Sequence, residues 1–110
     1  MPKILREADE AVKQVAAVLA EYEKSNAGSE CVVYRYNPAS IRVKIVDETF
    51  HDQSKGERHD SARHFLSRLP EDVLAQISVL LCLEPGESAL LDIEFQDPSR
   101  SYEEEANLPD

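Results

Sequence analysis

From residue 3 to about residue 24, apolar side chains fall at Leu5, Ala8, Val12, Val15, Leu19 and Tyr22, in alternating steps of three and four with charges between them. That spacing predicts an amphipathic helix. Asn26-Ala27-Gly28 ends it, because asparagine and glycine tolerate the left-handed backbone common at helix exits. A three-heptad coiled coil would share this spacing, but Ala8 at a seam position makes a helix packed on a sheet the better reading. The next stretch, ECVVYRYNPASIRVKIVD, is two β-branched runs joined by Asn37-Pro38-Ala39-Ser40, where proline's fixed φ suits a tight turn. An antiparallel hairpin is predicted. In its second strand Ile41, Val43 and Ile45 point one way and Arg42 and Lys44 the other, so one sheet face is buried and the helix should cover it.

Ser54 followed by Glu57 has the spacing of a capping box, which starts a helix near Lys55. Its inward stripe reads His59, Ala62, Phe65, Leu66 and Leu69, with Arg58, Asp60, Arg63, His64 and Ser67 elsewhere around the cylinder. Leu69-Pro70 stops it, and Pro70-Glu71-Asp72 can begin a short second helical turn, with proline at its first position and acids at its positive end. The run QISVLLCL is apolar on both faces, as expected of a central strand, and the helices of residues 50–75 should arch over the sheet face that the first helix covers. Beyond Glu84-Pro85-Gly86, the alternation of Ala89, Leu91, Ile93 and Phe95 with acids and glutamine suggests a further extended segment. Residues 97–110 are polar and acidic and are expected to be a disordered tail. The chain therefore reads as one α/β (α+β) domain over residues 1–96 with helices on one face of its sheet.

Composition narrows the partners. The 110 residues carry 22 acidic against 12 basic side chains, a formal charge of −10. A field of that sign repels nucleic-acid phosphates and anionic lipid headgroups, which leaves proteins as the expected partners. No apolar run is long enough to span a membrane and the amino-terminal residues do not read as a secretory signal, so a cytoplasmic protein is expected. Cys31 and Cys82 lie inside apolar stretches, which suits reduced thiols packed as small hydrophobes.

All three histidines fall within FHDQSKGERHDSARHFL, residues 50–66. His59 and His64 are five apart, about 140° around a helix, and cannot chelate as an i, i+4 pair would. His51 precedes the helix in a loop. His59 is expected to be a partly buried ring held by one hydrogen bond, and His51 and His64 surface residues. Among so many carboxylates, Asp47, Glu48 and Asp60 stand out little as acid–base groups. Gly28, Gly56 and Gly86 are too far apart to form a phosphate loop, and nothing marks the chain as an enzyme.

The segment IRVKIVDETFHDQSKGERHDSARHFL resembles the middle of BolA-like proteins: a strand, a phenylalanine, the histidine of an Arg-His pair nine residues later, and a leucine seven beyond. Phe50, Arg58, His59 and Leu66 occupy those places. The resemblance covers residues 39–85 by motif and most of the chain by order of elements. It implies a class II KH-like fold, helix–strand–strand–helix–helix–strand, with the last strand parallel to its neighbour. It also implies a role in stress or iron–sulfur and redox physiology and a monothiol glutaredoxin as partner. The family's usual glycine two after the phenylalanine is Asp52 here. The place of its cluster-ligating histidine falls on Ser78, or on Gln76 in a register slipped by two, and neither is a good iron ligand. No cofactor is therefore expected, and neither iron nor zinc in stoichiometric amount. The leading reading is a small acidic protein-binding adaptor or regulator with Arg58, His59, Arg63 and Arg42 on its partner surface, Arg58 pointing outward. A KH-like nucleic-acid-binding module, with a basic stripe of Arg35, Arg42 and Lys44 on the hairpin, is the first alternative, though no Gly-x-x-Gly loop is present; a small enzyme is the second.

Overall fold

A computed structural model describes residues 1–89 together with Asp92 and Phe95. Strand β1 (Lys3–Leu5) leads into helix α1 (Glu10–Ser25), then the hairpin strands β2 (Glu30–Asn37) and β3 (Ser40–Val46). A short 3-10 turn (Glu48–Asp52), helix α2 (Lys55–Leu66), a one-turn helix α3 (Glu71–Leu74) and strand β4 (Ile77–Leu83) complete the order. The sheet runs β1-β2-β3-β4, with the hairpin antiparallel and both outer strands parallel to their neighbours. The expected α/β architecture is present, enlarged by one amino-terminal strand.

That strand corrects the helix expected from residue 3. Helix α1 starts at Glu10 because the Asp9 side chain accepts the Val12 N–H at 2.9 Å, as an N-cap does. Arg6, at φ 64°, turns the chain out of β1. Three residues are too few to show a strand's alternation, and Leu5 and Ala8 fall into phase with the helix behind them by coincidence. From Val12 onward the stripe is as expected: Val12, Val15, Ala16, Leu19 and Tyr22 are buried. They pack on Cys31, Val33, Ile41, Val43 and Ile45 of the sheet. Asn26 ends the helix, its N–H reaching Tyr22 O.

Helix α2 begins with the reciprocal pair anticipated from sequence. Glu57 N–H donates to Ser54 Oγ at 3.1 Å, and Ser54 N–H to Glu57 Oε1 at 3.0 Å. Pro70 stands at the cap of α3 rather than in its first turn. Ala62, Leu66, Leu69 and Val73 join the core beneath α1, so α1, α2 and α3 share one face of the sheet.

Strand β4 departs from expectation: among the described residues it is an edge, not a central strand. It is apolar on both faces because both faces are used. Leu80 and Cys82 pack toward the helices. The opposite face, which carries Tyr34, Arg42 and Lys44, meets Phe95 edge-on to the Tyr34 ring at 5.4 Å and Asp92 in an ion pair with Lys44 at 2.6 Å. The backbone at Asp92 and Phe95 is helical, which corrects the extended segment expected over 89–95. Side chains three apart share a side of a helix, and these two reach the same sheet face. The remaining residues of 90–96 and the expected tail, 97–110, lie outside the described residues.

The β3–β4 register slips near its start: Ile41 faces Ile77 but Arg42 faces Val79. Ser78 is the extra residue, a β-bulge. Strict alternation would set Ile77 with Val79 and Leu81 on the far face; the bulge instead brings Ile77 and Ser78 both toward α2.

Candidate functional site

The seam between α2 and β4 gathers most of the chemistry-bearing side chains. Arg58 was expected to point outward and His59 to be partly buried; the structure keeps His59 partly buried and buries Arg58 more deeply. Arg58 is 7 % exposed, while His59 is half-buried. The Arg58 Nε donates to Phe50 O at 3.0 Å and to Gln53 O at 3.2 Å, and its Nη1 to Glu87 Oε1 at 2.7 Å and Cys82 O at 3.5 Å. A long apolar stem can lie along the core while its donors serve the Gln53 and Cys82 carbonyls and share the Phe50 carbonyl with the Gln53 N–H. Positions 58 and 59 flank the Ala62–Leu66 stripe equally well, and hydrophobicity alone favours histidine. The hydrogen bonds favour arginine. Glu87, one residue past the Pro85-Gly86 turn, went unnoticed in the sequence; its carboxyl is held below its ordinary range, first by the Glu84 N–H it accepts and then by Arg58.

His59 and Arg63, one turn apart on α2, line a cavity of about 220 Å³ with Leu66, Leu74, Ile77, Ser78 and Leu80. The walls are apolar and the rim carries an imidazole, a guanidinium and a hydroxyl. Ser78 shares the side of Leu80 and Cys82 by strand alternation, and Ile77 enters because of the bulge, which periodicity does not reveal. Gln76, the other register considered for the ligand place, is turned to Asp72 O at 3.2 Å.

Arg42 does not join this site. It stands on the opposite face of the sheet, its guanidinium 3.7 Å from the centre of the Tyr36 ring and 3.1 Å from the Tyr34 hydroxyl. The hairpin's basic stripe is also split. Arg35 pairs across with Ile41, so it shares the helix-covered face and binds Asp9 at 2.9 Å. Arg35 follows Cys31 and Val33 in the alternation of β2, and the register shift comes only beyond it, between Arg35 and Asn37. Lys44 is taken by Asp92.

His51 is exposed and pairs with Glu84 at 2.8 Å, which raises its pKa above the ordinary value; His64 is exposed. Among the described residues no group of three His, Cys, Asp or Glu side chains converges for a metal. Asp47 is fully buried; its carboxylate accepts from the Tyr22 hydroxyl at 2.6 Å and from Thr49 N–H and Oγ at 2.9 Å. Burial and that carboxylate push the Tyr22 hydroxyl's pKa upward. Sealed from solvent, the pair ties α1 to the end of β3 and offers nothing to a substrate. Burial also pushes the Cys31 thiol up to about 12 and the Cys82 thiol up to about 11, so both are protonated at neutral pH. Each is registered against Ile45 from a different side. Two strand spacings, roughly 9.5 Å, separate them, beyond the reach of a disulfide.

Among the described residues no helix is long and apolar enough to cross a membrane. Comparison with family models, curated proteins and solved structures finds no match to this chain.

Proposed function

We propose that this chain is a cytoplasmic, protein-binding adaptor or regulator of BolA-like fold, and that its partner docks where α2, α3 and β4 meet. The observation that carries the reading is the cavity in which His59, Arg63 and Ser78 rim an apolar floor. A surface with a dry centre and a few polar groups at its edge is the ordinary anatomy of a protein interface. The Phe50, Arg58-His59 and Leu66 pattern, and the order helix, hairpin, helix, short helix and parallel strand, support the family assignment. On that resemblance a monothiol glutaredoxin is the partner class to test first. By the same resemblance Ser78, or Gln76 in the slipped register, takes the usual ligand place, and the adaptor acts without sharing an iron–sulfur cluster. The nucleic-acid alternative loses support, since Arg35 and Lys44 are paired with carboxylates on opposite faces of the hairpin.

Affinity capture from the native cell, followed by mass spectrometry and reconstitution with the purified candidate, tests this. A stoichiometric protein complex free of nucleic acid and of iron is the expected result. Recovery of RNA or DNA, or of no binding protein in repeated captures, would reject the adaptor role.

A further inference from the structure

The two edges of the sheet are defended differently. β1 is three residues long and flanked by Lys3, Arg6 and Glu7, the charged, short kind of edge that resists pairing with another chain. β4 is seven residues, ISVLLCL, without a charge or a proline, and among the described residues it pairs only with β3. Six of its seven side chains are not fully buried. Its two ends are nevertheless closed, by the bulge at Ser78 and by Arg58, whose guanidinium reaches Cys82 O. Between them Leu80 turns its N–H and C=O outward while Val79 and Leu81 turn theirs to β3, and the cavity rimmed by His59 and Arg63 lies at the amino-terminal end of this opening.

We propose that this edge takes a short extended segment of a partner protein by strand addition, with an aspartate or glutamate side chain of that segment seated between His59 and Arg63. The inference rests on the adaptor reading and names the chemistry that the partner must present. Charge complementarity selects the acidic side chain. Arg63 is exposed and His59 half-buried, and neither has a hydrogen-bond or ion-pair partner among the described residues, whereas Arg35, Lys44, Arg58 and Arg68 are each matched to a carboxylate. Guanidinium and imidazole one turn apart can both donate to one carboxylate. The apolar floor of Leu66, Leu74 and Leu80 accepts the stem of that side chain or its apolar neighbour. Main-chain pairing with the edge then supplies affinity, and the cavity supplies selectivity, as in other strand-addition interfaces. A second copy of this chain is a poorer occupant, because two surfaces carrying −10 each repel before their edges meet.

The test uses the full chain and a displayed library of short random peptides, followed by anisotropy titration of a labelled synthetic peptide with the enriched sequence. Enriched peptides are expected to carry an acidic residue within a β-branched, apolar stretch. Arg63→Glu should weaken binding more than about tenfold, Arg63→Lys should retain much of it, and neither should shift the thermal midpoint. On binding, the amide of Leu80, the one of this stretch that points away from β3, should gain protection from hydrogen exchange. No enrichment, enrichment of basic peptides, binding unchanged in Arg63→Glu, or protection confined to other strands would each overturn the proposal. Strand addition fails alone if a cellular partner is captured but protects a different surface. The adaptor role fails alone if peptides bind as described but the cell yields no partner.

Discussion

Two ends of the α2–β4 seam place an arginine in opposite circumstances. At one end Arg58 is buried, and its donors are spent on three backbone carbonyls and a carboxylate. At the other end Arg63 is exposed and, among the described residues, meets no acceptor. Both sit on one short helix, five residues apart, in similarly polar sequence. What separates them is the supply of acceptors. The 3-10 turn before α2 and the end of β4 leave carbonyls that arginine can satisfy, while the bulge at Ser78 opens space rather than filling it. One end holds the fold together, and the other is available to a partner.

The sharpest way to break this contrast is Arg58→Ala. It strands the Gln53 carbonyl and takes one partner each from the Phe50 carbonyl and the Glu87 carboxylate, and should cost about 2–4 kcal/mol of unfolding free energy in denaturant titrations. His59→Ala removes a half-buried ring without a partner and should cost less than about 1 kcal/mol in the same assay. Equal losses at both positions would sink the distinction between the two ends.

Acid should probe the closed end next. The Glu87 carboxyl is held below its ordinary value of 4.5 in the fold, so its contribution is present above about pH 4.5 and disappears as pH falls through the lower folded value. Thermal midpoints followed downward from pH 6 should therefore drop less steeply in Glu87→Gln than in the parent chain; identical acid limbs would show that the carboxylate does not bear on stability. A smaller effect belongs to His51, whose pKa its bond to Glu84 raises above 6.5. Its imidazole titration, read by NMR, should have a midpoint above 6.5 and move down in Glu84→Gln. Because the folded value is the raised one, the stabilisation is complete below pH 6.5 and is lost as pH rises through the folded pKa.

Much of the scaffold was legible in local chemistry. Ser54 with Glu57 marked the start of α2, Pro38-Ala39 marked the hairpin turn, and Ile41, Val43 and Ile45 marked the buried face. These signals are short-range, and each is decided by a few neighbouring residues. The errors arise where a distant partner decides. Arg58 outranks His59 for the inner position only because Phe50, Gln53, Cys82 and Glu87 converge on it. Ile77 changes face through a bulge that no periodicity encodes. β1 exists because β2 offers it an edge, and β4 resembles a central strand because Phe95 and Asp92 reach the face opposite the helices. At the candidate site His59 and Arg63 could be paired by helical spacing, and Ser78 placed with Leu80 by strand alternation, but Ile77 reaches them only through a bulge.

The parallel pairing of both outer strands has a kinetic consequence. β2 and β3 close locally through their turn, and hairpins of this kind form within microseconds. β1 and β4 can pair with them only after a connection that includes a helix has closed, and the loss of chain entropy must precede the contacts that repay it. The hairpin is thus the natural nucleus, and β4 a late arrival that, among the described residues, has a neighbour on one side alone. In pulse-labelled refolding the amides of β3 should become protected before those of β4. The interval between them is the time during which an uncharged, unpaired strand is open to the wrong chain as well as to the right one.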